Sequence, residues 1–259
     1  MKIVVCVKQV PDTEAEKRLL PDTLTVDRES SNPVLNEMDE FAIEEALKLA
    51  EAHGGEVTVL TMGPDGADAA LRKALSMGAD SGILLSDPAL AGSDALSTSY
   101  ALAQALATTE YDLVILGSEA SDARTSLVPA MLAERLGLPQ LTFASKVEID
   151  GTDITVNRLT DYGHDVVKAQ LPAVVSVVEK INEPRYPSFK GIMAAKKKPI
   201  ANLDAAAAGI DTARVGAAGA WTAVADAAQR PPRSAGVKVT DEGDGGVKLA
   251  EFLSAQKFI

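Results

Sequence analysis

Residues 112–137, DLVILGSEASDARTSLVPAMLAERLG, decide the fold. Leu113–Leu116 is a short apolar run of strand length, and it stops at Gly117. Small and polar residues follow, and then SLVPAMLAERLG (126–137) reads as a helix with Gly137 beyond its end. The same alternation recurs upstream. KIVVCVK (2–8) is a β-branched run that predicts a buried strand. Asn36 can cap a helix whose apolar stripe (Met38, Phe41, Ala42, Leu49, Ala50) runs to about Ala52, where His53-Gly54-Gly55 stops it. EVTVLTMG (56–63) reads as a strand, DAALRKALSMGAD (68–80) as a helix ended by Gly78, and SGILLSD (81–87) as a strand. Ser93 can cap a further helix reaching about Ala107. Strands spaced by helices of this length make βαβ units, hence a parallel sheet with helices on both faces.

The pattern changes at Leu141. TFASKVEIDGTDITVNRLTDYGHDVVKAQLPAVVSVVE alternates apolar and polar residues, has a tight Asp150-Gly151 turn, and leaves no room for helices. It predicts antiparallel strands added to the sheet edge, ending in a buried strand at Ala173–Val178. Residues 201–235 are rich in Ala, Gly and Pro and lack a period, as an extended arm would. VKLAEFLSAQKFI (247–259) predicts a terminal helix. The expected fold is therefore α/β, a parallel doubly wound sheet of the adenine-nucleotide-binding type over residues 1–200 with added antiparallel edge strands. The arm and helix of residues 201–259 have little core of their own and are expected to pack on a partner subunit.

Composition narrows the function. The chain has 259 residues, 46% hydrophobic and 24% charged, as an ordinary globule does. Its apolar runs span at most eight residues, against the ~20 needed to cross a bilayer. No basic segment followed by an apolar one opens the chain as a signal peptide would. One cysteine, Cys6, permits no internal disulfide and suits a reducing cytoplasm. The two histidines, His53 and His164, lie far apart, with no metal-ligand spacing. A net charge of −12 argues against a nucleic-acid binder. Yet Ile181 to Ile200 carries five positive residues (Arg185, Lys190, Lys196, Lys197, Lys198) against Glu183 alone, within NEPRYPSFKGIMAAKKK (182–198).

In an open α/β sheet, ligands bind outside the carboxyl ends of the strands. Those ends fall at Cys6 to Gln9, Thr61 to Pro64, Ser86 to Asp87 and Gly117 to Asp122. Around Gly117 the chain runs into a helix N-terminus, whose free amides and dipole suit a phosphate. The loop matches neither standard glycine-rich phosphate motif, and any strand-to-helix connection needs a small residue somewhere. Ser118, Ser121, Thr125 and Ser126 have no histidine near them in sequence, so no nucleophile–base pair stands out. His164 reads as a hairpin residue, and Cys6 as a small buried hydrophobe. Within DEFAIEE (39–45), Glu44 and Glu45 read as a solvated helix face, while Asp39 and Glu40 sit at the helix start and can face the site. A nucleotide pocket without a catalytic constellation fits a carrier or binding module.

Several stretches together resemble the beta (small) subunit of electron-transfer flavoproteins: VCVKQVPDT (5–13), LNEMDEFAIEEAL (35–47), LRKALSMGAD (71–80), DLVILGSEASD (112–122), LPAVVSVVEKINEPRYPSFKGIMAAKKK (171–198) and RPPRSAGVKV (230–239). The most specific is N-E-P-R-Y followed by I-M-x-A-K-K-K. The resemblance spans nearly the whole chain and is weakest over 201–229.

The resemblance implies an electron carrier, paired with an alpha subunit that holds most of an FAD. It would take electrons from dehydrogenases, notably acyl-CoA dehydrogenases of fatty-acid β-oxidation, and pass them to a membrane-bound quinone oxidoreductase. It implies a structural AMP in this subunit. By position its contacts fall on Cys6, on Asn36, Glu37, Met38 and Asp39, on Met62, and on Gly117, Ser118, Glu119, Ala120, Ser121, Asp122, Ala123, Arg124, Thr125, Ser126, Leu127 and Val128. The family's common G-K-Q-x-x-D-D-D/G keeps here only Gly117, Ala120 and Asp122, and its N-P-F/Y-x-E reads Asn36-Glu37-Met38-Asp39-Glu40. Arg124 is expected to pair with a phosphate or with Asp122. Val7-Lys8-Gln9-Val10-Pro11-Asp12-Thr13 is a form frequent in branches that bind a second FAD in place of AMP and bifurcate electrons from NADH. For partner docking, the resemblance implies a recognition loop with one apolar anchor, by position Phe189, beside Arg185, Tyr186, Ile192 and Met193, with Arg185, Lys190 and Lys196 to Lys198 expected to steer acidic partners. From another class, a stand-alone adenine-nucleotide sensor of the stress-protein type would share the sheet and phosphate loop, but leave residues 181–259 unexplained.

Overall fold

The computed structural model describes residues 1–233 and 235–259; Ser234, inside RPPRSAGVKV, lies outside the described residues. Residues Met1–Ala225 form one compact unit and Asp226–Ile259 a second.

The elements of the first unit run in chain order β1 (Lys2–Cys6), β2 (Gln9–Pro11), β3 (Pro33–Leu35), α1 (Glu37–His53), β4 (Glu56–Met62), α2 (Asp68–Met77), β5 (Ser81–Leu85), α3 (Ala95–Leu106), β6 (Leu113–Gly117), α4 (Val128–Leu136), β7 (Gln140–Asp150), β8 (Asp153–Thr160), β9 (Gly163–Gln170), β10 (Ala173–Val177), α5 (Phe189–Ala195), β11 (Ile200–Leu203) and α6 (Gly216–Gly219). A nine-stranded sheet has the order β11-β5-β4-β1-β6-β10-β7-β8-β9, and β2 and β3 form a separate antiparallel pair. The seven strands from β11 to β7 are parallel, while β7–β8 and β8–β9 are antiparallel.

Alternation along each central strand feeds two cores. Ile3, Val5, Val57 and Val59 pack under α1 and α2; Val4, Cys6, Leu60 and Leu116 pack with residues of α3 and α4. Both faces are covered, which is why these strands read as continuous apolar runs. From β1 the chain builds outward through β4 and β5, then crosses back to lay β6 on the other side of β1. That reversal opens a crevice at the carboxyl ends of β1 and β6.

Three expectations are corrected. The Ala173 strand is no edge strand: β10 inserts between β6 and β7 and is parallel to both, because its fully buried AVVSV can be covered only in the sheet's interior. The arm does not begin at residue 201. β11 pairs with β5, and Ala205, Ala208, Ile210 and Val215 bury themselves in the α3 side core, so the first unit continues to Ala225. The third helix is capped by Asp94, whose Oδ1 accepts from Ser97 N at 2.8 Å, while Ser93 Oγ donates to Leu90 O.

In the second unit, α7 (Gly245–Ala255) realises the predicted terminal helix and leaves Val247, Leu249 and Phe252 exposed.

Candidate functional site

The crevice is built by long-range polar contacts between three segments. Asn36 occupies the N-cap of α1 but makes no side-chain cap bond. Instead Nδ2 donates to Glu119 O (2.9 Å), and Oδ1 accepts from Ser121 N (3.1 Å). One side chain therefore ties the start of α1 to the loop after β6. Three residues on, Asp39 is buried, and its Oδ2 accepts from Lys8 N at 2.7 Å. Burial pushes its pKa up to about 7, against the side chain of Asn36 and the amides of Lys8 and Gly117, which favour the carboxylate. Gly117 is required for this fit: a Cβ there would lie 2.6 Å from Asp39 Oδ1 and 2.8 Å from the backbone of Met38.

Asp122 holds the loop from its far side. Its side chain is 1% exposed and is bonded by Lys8 Nζ (2.8 Å) and Arg28 Nη2 (2.7 Å). Burial opposes its charged form, yet the two cations prevail and hold its pKa below the ordinary carboxylate value. Arg124 takes no part in this pairing, so one of the two roles expected for it is corrected. Left-handed turns at Arg124 (φ 47°) and Ser126 (φ 51°) lead into α4, and Ser126 Oγ donates to Glu119 Oε2 at 3.0 Å. Among the described residues, the amides of Thr125, Ser126, Leu127 and Val128 meet no protein acceptor, and α4 has no side-chain cap. Ser121 Oγ is shielded and also unpaired. Free amides at a helix start, a spare hydroxyl and nearby cations fit a phosphate group.

The other expected contacts fall as follows. Glu37 is exposed and accepts from Thr13 Oγ1 (3.1 Å). Met62 ends β4, on the strand beside β1, and packs on the α3 side core with Val128. Cys6 points into that same core, and burial pushes its thiol up to about 12, so only its backbone lies at the strand end. Ser118 is buried, and its amide donates to Val177 O; Ala120 O accepts from the amides of Ala123 and Arg124. Leu127 is half exposed. Sequence reading passed over Lys17 and Arg28, which lie in a polar stretch without period and are joined to the site only by the fold. Two surface clefts lie elsewhere, one between Lys2, Glu56 and Glu110, the other along Glu148, Asp153 and Lys168. Neither gathers a buried polar atom lacking a partner.

The basic segment has a buried base and an exposed crest. Asn182 Nδ2 donates to Phe41 O and Glu45 Oε2. Arg185 bonds Glu44 through Nε (2.7 Å) and Nη2 (3.0 Å), and Glu51 through Nη1 (2.6 Å). Hydrogen bonds to Glu44 and then Glu51 raise its pKa further above its ordinary value. Arg185 thus anchors the segment instead of steering partners. Glu44 and Glu45 are buried, not solvated, because this segment covers them. Lys198 Nζ donates to the carbonyls of Leu75 (3.1 Å), Gly78 (3.0 Å) and Ala79 (2.5 Å), capping the end of α2; Lys196 and Lys197 remain exposed. Gly191 lies against α2, where a Cβ would come within 2.5 Å of Ser76 O. Ser188 caps α5 through Gly191 N. On this base stand Tyr186, 95% exposed, Phe189, 81% exposed, and the less exposed Ile192 and Met193. The anchor expected on a loop is the first residue of a helical turn.

A sequence model described as "Electron transfer flavoprotein domain" matches residues 23–208. The chain is 51% identical over 263 residues to the electron transfer flavoprotein subunit beta of Mycobacterium tuberculosis, covering 99% of each chain. It is 41% identical over 271 residues to the protein of that name from Megasphaera elsdenii, covering all of both chains. It is 39% identical to Protein FixA of Azotobacter vinelandii over 267 residues, all of this chain and 95% of that one. The chain belongs to the electron transfer flavoprotein family, on the side of its beta subunits. Likeness across 99% of the chain takes in residues 181–259, which a stand-alone sensor would leave unexplained.

Proposed function

We propose that this chain is the beta subunit of a heterodimeric electron-transfer flavoprotein. It pairs with an FAD-holding alpha subunit, accepts electrons from dehydrogenases of the acyl-CoA type, and passes them to a quinone oxidoreductase. The observation that carries the reading is the crest of Tyr186, Phe189, Ile192 and Met193, exposed on a base that ion pairs and close packing hold rigid. A single aromatic anchor on a rigid platform gives a modest interface that can form and release quickly, as a carrier between redox partners requires. No helix among the described residues is long and apolar enough to cross a membrane, which agrees with a partner-to-partner shuttle.

AMP is the ligand we assign to the strand-end crevice. The amides of Thr125 to Val128 and Ser121 Oγ hold its phosphate, and Asn36, Asp39 and Gly117 shape the crevice floor. The bound nucleotide supplies no redox chemistry; flavin, held mainly by the alpha subunit, supplies that. A second reading, FAD in this crevice with NADH as donor, draws support from Val7 to Thr13, whose Lys8 lies at the crevice wall. Co-expression with the alpha subunit, denaturation and chromatography of the released ligands separates the two. We expect one flavin and one AMP per heterodimer; two flavins without AMP would favour the second reading.

A further inference from the structure

Residues 12–32 connect β2 to β3 and are mostly exposed, yet they reach the loop after β6 at two adjacent residues. Lys17 Nζ donates to Ser121 O at 2.8 Å, and Arg28 Nη2 bonds Asp122 Oδ2 at 2.7 Å. With Lys8, three cations converge on one buried carboxylate and its neighbouring carbonyl. Glu119, the nearest further acid in the loop, is engaged by Ser126 Oγ and has no cation within ion-pair distance. The segment is internally stiffened: Leu20 N donates to Thr25 O, Asp27 N to Arg18 O, and Asp12 N to Asn32 O. Lys17 and Arg28 sit on either side of that turn, each next to a residue of the Asp27 N–Arg18 O bond. The loop they grip continues directly into the unpaired amides of Thr125 to Val128.

We propose that residues 12–32 are a latch on the nucleotide crevice, in which Arg28, assisted by Lys17, is a positioning residue. It holds Asp122 and thereby the shape of loop 117–128, so that a phosphate-bearing nucleotide is retained. This rests on the nucleotide reading above. The unpaired amides at the start of α4, together with the shielded and unpaired Ser121 Oγ, give the latch its ligand class, an anionic phosphate ester. Arg28 is suited to the task because its planar fork and permanent charge keep the grip on Asp122 at any working pH. Opening the latch costs two charge-assisted bonds, so it controls how fast nucleotide leaves.

The test uses the heterodimer co-expressed with its alpha subunit. Wild type, Arg28→Gln, Arg28→Lys and Lys17→Gln are compared for AMP retained after gel filtration, for AMP release rate, and for trypsin cleavage after Arg18. Arg28→Gln should release AMP at least about tenfold faster and be cut faster at Arg18, Arg28→Lys should recover part of the loss, and added AMP should protect the wild-type segment. If Arg28→Gln destabilises the protein, Lys17→Gln, which removes only a bond to a carbonyl, should still speed release. Release and cleavage equal to wild type in both Gln variants would overturn the latch while leaving the nucleotide reading intact. A wild-type heterodimer that holds no phosphate-bearing nucleotide would overturn both.

Discussion

Loop 117–128 and segment 182–198 both depend on α1, but they use it oppositely. The loop turns its polar atoms inward, with Asn36 and Asp39 of the α1 start and a buried Asp122 fixing the backbone around a crevice. The segment buries its polar atoms against Glu44 and Glu45 and turns its apolar ones outward. A ligand that stays bound needs a pre-shaped polar wall, whereas a partner that comes and goes needs an exposed anchor on something rigid. Of the five cations in residues 182–198, Arg185 and Lys198 are part of the foundation while Lys190, Lys196 and Lys197 stay exposed, and the two aromatics are the most exposed apolar side chains of the segment.

Substitutions can break this contrast, the strongest first. Gly117→Ala puts a Cβ into Asp39 and Met38. It should cost about 3 kcal/mol of stability, read as a lower urea midpoint, together with loss of bound nucleotide. An unchanged midpoint would mean that the crevice floor can yield. Arg185→Ala and Phe189→Ala separate foundation from surface. The first leaves buried Glu44 without its partner, so stability should fall by about 2 kcal/mol and electron transfer should slow with it. The second removes an 81% exposed ring, so the urea midpoint should hold. Transfer from a dehydrogenase should then slow about tenfold or more, with normal assembly and flavin content. Equal transfer rates for Phe189→Ala and wild type would remove the anchor assignment.

Asp39 adds a pH signature. Its folded pKa of about 7 exceeds the ordinary 3.8, so between these values the folded protein holds more protons than the unfolded chain. Its contribution is therefore fully present below pH 3.8 and is lost as pH rises through 7, at up to about 1.4 kcal/mol per pH unit. Asp39→Asn should flatten that part of the stability profile; an identical slope would show that Asp39 titrates normally. The smallest effect belongs outside both regions. Thr61 is fully buried with its hydroxyl unpaired, so Thr61→Val should raise stability by about 1 kcal/mol in urea unfolding, with ligand content unchanged.

Legibility followed the range of the interactions. The parallel strands and their helices could be read because β-branched runs, apolar stripes and Gly54, Gly78 and Gly137 are local signals. The strand-end location of the crevice followed from topology. The place of β10 could not be read, because a fully apolar strand looks the same at any interior position and its neighbours β6 and β7 are set by distant chain. Asn36 looked like a helix cap because its side chain can serve either partner, and only the approach of residues 119–121 decides between them.

The sequence by itself determined the class of fold, the strand ends that border the crevice, and, through NEPRYPSFKGIMAAKKK and its companion stretches, the family. Only the tertiary structure decided which charges are spent. Lys8 and Arg28 go to Asp122, Arg185 to Glu44, Lys198 to the end of α2, while Phe189 remains uncovered. The reason is physical: strand and helix formation are governed by residues a few positions apart, whereas a buried carboxylate takes its partner from whichever distant segment the packing brings within hydrogen-bond reach.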